Sequence, residues 1–177
     1  MYDKRSSLEE EFGDNCEGVD MRTRTLARMY ALQILYKADV TNDRIDSVLN
    51  SFWQLMADLN IFRVPEDIHT QAKQYANLLV YGTLENLATI NKAIIDCAEH
   101  WEIHRMPIID RCILRLATYE LFYLIDVPPA VSINEAIELA KNFSTEESAK
   151  FINAILDKVK NLAKEAAQIE DLWTVSG

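Results

Sequence analysis

Glycine and proline are scarce, with four of each in 177 residues. Folds made of many short strands need frequent tight turns and draw on both residues, so an all-β architecture is disfavoured. Cysteine is scarcer still. Cys16, Cys97 and Cys112 contain no C-x-x-C pair, and their odd number argues against a closed disulfide framework and for a reducing, cytoplasmic setting. No apolar run approaches the ~18–20 residues of a spanning helix, and the first residues carry no apolar core of a signal peptide and no lipidation motif. The expectation is a soluble protein with no membrane contact. Basic charge is also in short supply: 18 Lys and Arg stand against 28 Asp and Glu, for a formal net charge of -10. Such a surface repels polyphosphates at long range, so any nucleic-acid role must rest on a local patch or a basic partner.

The usual marks of catalysis are missing as well. There is no G-x-G-x-x-G, no G-x-x-x-x-G-K-[ST] and no G-x-S-x-G. His100-Trp-Glu-Ile-His104 spaces two imidazoles at i and i+4, but zinc proteases place Glu directly after the first His, and the order here differs. His69 stands alone, without a Cys, Ser or Asp arrangement that it could serve as a base. The carboxylates Asp110, Glu120, Glu135, Glu138, Glu146 and Glu147 fit solvated helix faces or caps. No catalytic residue, metal site or cofactor is expected, and the reading is of a non-enzyme.

What the chain does have is 49% hydrophobic residues, enough for a sizeable core, arranged with helical period. Residues 1–20 break from this pattern: seven acidic residues against two basic ones, with no sustained apolar repeat, describe an acidic arm. Leu26, Met29, Tyr30, Ile34 and Leu35 then mark helix one, to about Val40. Thr41 and Asn42 can cap a second helix with Ile45, Val48, Leu49, Phe52, Met56 and Leu59 on one face. Pro65 suits the start of a third, lined by Ile68, Ala72, Tyr75, Leu78, Leu79 and Gly82. A helical stretch from Asn86 reaches about Trp101, where a polar link before Pro107 offers one boundary. The next helix runs to Asp126-Val-Pro-Pro, which two prolines close. Ser132 with Glu135, and Ser144 with Glu147, have the S/T-x-x-E capping-box form and predict two further helix starts. The aromatic residues Phe52, Trp53, Tyr75, Tyr119, Phe122 and Phe151 sit at core spacing. The fold class is all-α, about seven helices, with the domain over 21–168 divided near 21–84 and 86–168 and a tail at 169–177.

One polar pattern stands out. Arg22-Thr-Arg-Thr-Leu-Ala-Arg28 puts three arginines where the acidic arm meets helix one. Arg24 and Arg28, four apart, would share a helix face and offer two planar forks to phosphates or bases. Surface pairing with Asp or Glu explains the same spacing, and the pattern alone does not decide.

A longer match does. Asp110-Arg-Cys-Ile-Leu-Arg-Leu-Ala-Thr-Tyr-Glu-Leu121, Asp126-Val-Pro-Pro, Ser132-Ile-Asn-Glu-Ala-Ile-Glu-Leu-Ala-Lys-Asn-Phe143, Ser148-Ala-Lys-Phe-Ile-Asn-Ala-Ile-Leu-Asp-Lys158 and Arg28-Met-Tyr-Ala-Leu-Gln-Ile-Leu-Tyr36 together resemble the NusB family of transcription antitermination factors. The resemblance spans about 21–160. It implies two packed three-helix bundles, no catalysis, and binding to the boxA element of ribosomal RNA leaders with NusE, the ribosomal protein that doubles as an elongation factor. The pair helps RNA polymerase pass terminators. It also implies an RNA surface at Arg24 and Arg28 in the first helix, Asp110 in the fifth, and Glu147, Lys150 and Phe151 in the last, to which the arginine pattern adds Arg22. Physically, the cations neutralise phosphates, Phe151 stacks on a base if its ring is exposed, and the acids accept from base amino groups. Phe151 is equally a core residue by spacing, and Glu147 equally a cap.

The family often carries a denser basic cluster where Thr25 and Leu26 stand here. Dependence on the basic NusE partner is therefore expected. An acidic arm folded over the arginines would inhibit RNA binding, and its deletion would raise affinity. Two other readings fit the pattern: an interaction module without boxA specificity, like the domain fused to RNA cytosine methyltransferases, and a homodimer burying the arginine face. The absence of a methyl-donor fold up to Gly177 weighs against the complete methyltransferase.

Overall fold

The computed structural model describes residues 21–59, 65–99 and 102–174. The acidic arm and the last three residues lie outside them, as does the autoinhibition expected of the arm. Among the described residues the elements are seven α-helices and one 3-10 turn: α1 Met21–Thr41, α2 Ile45–Leu59, α3 Glu66–Glu85, α4 Leu87–Cys97, the turn Ile103–Arg105, α5 Ile108–Tyr123, α6 Pro129–Phe143 and α7 Glu146–Thr174. The all-α class follows directly. Two compact units divide between Gly82 and Thr83, within α3.

In the first unit α1 packs on α2. Its buried face is Ala27, Tyr30, Ala31, Leu32, Ile34 and Leu35; Leu26 and Met29, expected on the core stripe, are half-buried. α1 does not run on into a cap for α2. Asn42 takes φ 57°, the left-handed conformation that Asn tolerates, and donates its N–H to Ala38 O at 3.0 Å, closing α1 from the C-terminal side. The expected N-cap is thus a C-terminal stop. Trp53 centres the aromatic core, with ring centroids 5.4 Å from Tyr30, 4.9 Å from Phe52 and 6.3 Å from His69. Its Nε1 donates to Asn77 Oδ1 at 3.0 Å. His69 is half-buried against aromatic rings.

In the second unit α7 packs on α4, α5 and α6, and α5 packs on α4 and α6. α5 is buried at Asp110, Cys112–Leu114 and Leu116–Glu120, the profile of a central helix. Opposite it, Ile152, Leu156 and Val159 of α7 are fully buried. Each such aliphatic side chain contributes about 1.5–3 kcal/mol of burial. Arg115 Nε donates to Asn91 Oδ1 at 3.0 Å, and Lys158 Nζ ties α7 to the end of α4 through Glu99 at 2.9 Å and Cys97 O at 3.4 Å.

The expected capping boxes are replaced by other contacts. α6 begins at Pro129, whose fixed φ and missing N–H suit the first helical position. Ser132, three residues in, is buried and donates to Glu120 Oε2 of α5 at 2.6 Å. α7 is capped by Thr145, whose Oγ1 accepts the Ser148 N–H at 3.0 Å, not by Ser144 with Glu147.

Two predictions arise here. Thr118 is fully buried in α5 and its hydroxyl finds no hydrogen-bond partner among the described residues. Thr118→Val keeps the shape and removes the unmet polar group, so it should stabilise by about 1 kcal/mol in urea unfolding. Burial also raises the Cys97 thiol, with Lys158 partly offsetting it, and raises the Tyr30 hydroxyl, from reference values of 9.0 and 10.0. Both groups hold their protons longer when folded. Stability is then complete below about pH 9 and falls as pH rises through the alkaline range, a decline that thermal melts at stepped pH would record.

Candidate nucleic-acid interface

The arginine segment occupies the first two turns of α1. Arg22 is exposed. Arg24 is half-buried, its guanidinium carbon 5.4 Å from the centroid of the buried Tyr75 ring on α3. A planar cation over a ring face is held in orientation as well as attracted. Arg28 is different: it is 2% exposed. The i, i+4 spacing was expected to turn Arg24 and Arg28 outward together. The structure turns Arg28 inward, because Ala27, Ala31 and Leu32 around it are themselves buried. The outward cations of this segment are Arg22 and part of Arg24.

In the second unit Glu147, Lys150 and Phe151 lie at i, i+3 and i+4 on α7, so they share one stripe. Glu147 and Lys150 are exposed and Phe151 is half-buried, while Ala149 and Ile152 point to the core. Phe151 is thus neither fully packed nor fully open to solvent.

Asp110 does not join that exposed stripe. It is 3% exposed, in the first turn of α5. Its Oδ1 accepts from Ser144 Oγ and its Oδ2 from Ser148 Oγ, each at 2.7 Å. The expectation of an acid facing RNA is corrected to an acid facing two hydroxyls. Ser144, Ser148 and Tyr75 are the residues that sequence reasoning left out of the site. Thr145-Glu-Glu-Ser148 also starts with a capping residue, a signal that was present and was assigned one residue too early.

Metal chemistry gains nothing from the geometry. No three His, Cys, Asp or Glu side chains converge among the described residues. His104 is exposed, with Nε2 3.1 Å from Glu102 Oε2, and His100 lies outside the described residues. No described helix is long and apolar enough to cross a membrane.

Fold and site together define an all-α protein whose candidate contacts are carried on helix stripes at the starts of α1 and α7. The pattern that defines the NusB family matches residues 25–161, and the chain belongs to that family. It is 42% identical over 137 residues to the transcription antitermination protein NusB of Thermodesulfovibrio yellowstonii, covering 77% of this chain and 90% of the relative. The corresponding protein of Chloroherpeton thalassium is 38% identical over 144 residues; there the match covers 80% of this chain and 63% of the relative, which is the longer protein. The fold is also similar to a crystal structure of the antitermination factors NusB and NusE in complex with double-stranded RNA. That likeness has a TM-score of 0.67 at 25% identity over 81% of this chain and 99% of the solved one.

Proposed function

We propose that the chain is a transcription antitermination factor that binds the boxA RNA of ribosomal RNA leaders jointly with NusE and promotes read-through by RNA polymerase. It works in the cytoplasm by binding alone; no bond is made or broken. The observation that carries this reading is the family match over 25–161, which includes Arg28 of α1 and the whole α7 stripe and begins one residue after Arg24. The related NusB and NusE structure with RNA supports the two partners.

The residues divide by placement. Arg22, Arg24 and Lys150 supply positive charge, the exposed part of Phe151 supplies a stacking face, and Glu147 accepts from base amino groups. Arg28 and Asp110, both buried, support the outward residues. The net charge of -10 makes the basic ribosomal partner important to affinity.

The test is a fluorescence-anisotropy titration of boxA RNA and a scrambled control with the full chain, alone and premixed with NusE. Tighter, boxA-selective binding by the premix is the expected result. Equal binding of both RNAs in every arm would overturn the reading in favour of a protein-interaction module.

A further inference from the structure

We propose that Asp110 is a positioning residue for RNA recognition, acting through Ser144 and Ser148 to set the direction of the α7 stripe. The inference rests on the proposed RNA-binding function, and its test separates the two.

Three helix ends meet at this carboxylate. Asp110 belongs to the first turn of α5, Ser144 closes α6, and Ser148 is in the first turn of α7. A carboxylate only accepts, so its two oxygens dictate where both hydroxyl protons point. The alternative is close at hand: Ser144 Oγ lies 3.0 Å from Ser148 Oγ, and without the carboxylate the serines can satisfy each other instead. Thr145 joins the same set, donating to Ser148 Oγ at 3.1 Å while accepting the Ser148 N–H. The α6–α7 turn is therefore referenced to a buried group on a third helix.

Ser148 sits inside the stripe it would control, one residue after Glu147, two before Lys150 and three before Phe151. A rotation of the first turn of α7 about its axis would carry all three to new directions. Recognition needs these side chains held within a fraction of an ångström, which takes a supporting set of hydrogen bonds behind the contact residues. Bonds to a charged acceptor are the stronger kind, and the acceptor here is buried while the two serines are half-buried, which limits competition from water. Asp110 thereby serves the RNA surface without touching RNA.

The experiment compares boxA anisotropy titrations of the full chain, Asp110→Asn, Lys150→Ala and the double variant, with circular-dichroism melts of each. Asn keeps the shape but turns a donor toward one serine. Asp110→Asn is expected to weaken boxA binding about tenfold at temperatures where the melt shows it fully folded. In the double variant the two losses should fall short of multiplying, because Lys150 is already misdirected. Ser148→Ala, which removes one arm of the network and leaves the carboxylate, should reproduce the loss if Asp110→Asn does not fold. Wild-type affinity in Asp110→Asn, or in Ser148→Ala where that replaces it, beside weakened Lys150→Ala overturns the inference and leaves the RNA reading standing. Losses that multiply fully also overturn it, since Asp110 would then act elsewhere. Wild-type affinity in Lys150→Ala, Phe151→Ala and Arg24→Ala alike overturns the RNA surface itself.

Discussion

Trp53→Ala is expected to lower stability by about 3–5 kcal/mol, a large part of the ~5–15 kcal/mol that holds a typical domain folded. The indole is 9% exposed and lies edge-on to Tyr30, Phe52 and His69 at 5.4, 4.9 and 6.3 Å. Alanine removes those contacts and also leaves Asn77 Oδ1 without the Nε1 donor. Lys73, with its ammonium 5.2 Å from the ring centroid, loses its aromatic face too. Trp53→Phe separates these contributions: it keeps most of the packing, loses the hydrogen bond and should cost about 1–2 kcal/mol. Urea unfolding followed by circular dichroism measures both. A loss below about 1 kcal/mol for alanine would contradict a packed indole at this position.

The second large effect concerns RNA. Replacing Arg22, Arg24 and Lys150 together by alanine should weaken boxA binding on the order of a hundredfold or more at low salt, through lost contacts to phosphate. A change of affinity alone could have several origins, so the salt dependence is the sharper readout. Each phosphate contact to a single strand adds about 0.7 to the slope of log affinity against log salt, and three lost cations should flatten it by about 2. Scrambled RNA should lose affinity in parallel, since phosphates carry no sequence. Phe151→Ala should act in the opposite manner, costing about 1–3 kcal/mol through lost stacking while the salt slope stays put. A triple variant with an unchanged slope would mean that these cations do not meet the RNA backbone.

The helices were legible because burial repeats at three and four residues whatever the tertiary partner. Val48, Leu49, Phe52, Ala72, Tyr75 and Leu79 were expected in the core and are buried there. The helix ends were less legible. Asn42, Ser132 and Ser144 each precede an apolar run, as an N-cap does, yet one is a left-handed stop and the others are settled by carboxylates far away in sequence. Local spacing carries no record of Glu120 or Asp110 as partners. Arg28 failed for a related reason: the i, i+4 rule says that two residues share a face, not which way that face looks. The direction of the α7 stripe was equally open in the sequence, where Phe151 fitted core and surface alike, and it is the burial of Ala149 and Ile152 in the structure that turns Glu147 and Lys150 outward. The RNA assignment itself came from resemblance, since three arginines alone fit a surface ion-pair face equally well.

The burial of α1 has a consequence for how an RNA would be received. From Ala27 to Leu35 this helix is enclosed around more than half its girth. Backbone amides in such a helix exchange with solvent only when the surrounding unit opens, so they belong to its slowest-exchanging set. The exposed Arg22 and the Tyr75-braced Arg24 are mounted on the end of that rod. Docking there would order little new backbone, and calorimetry should show the modest heat-capacity change of two preformed surfaces meeting, not the large one of a segment that folds on contact.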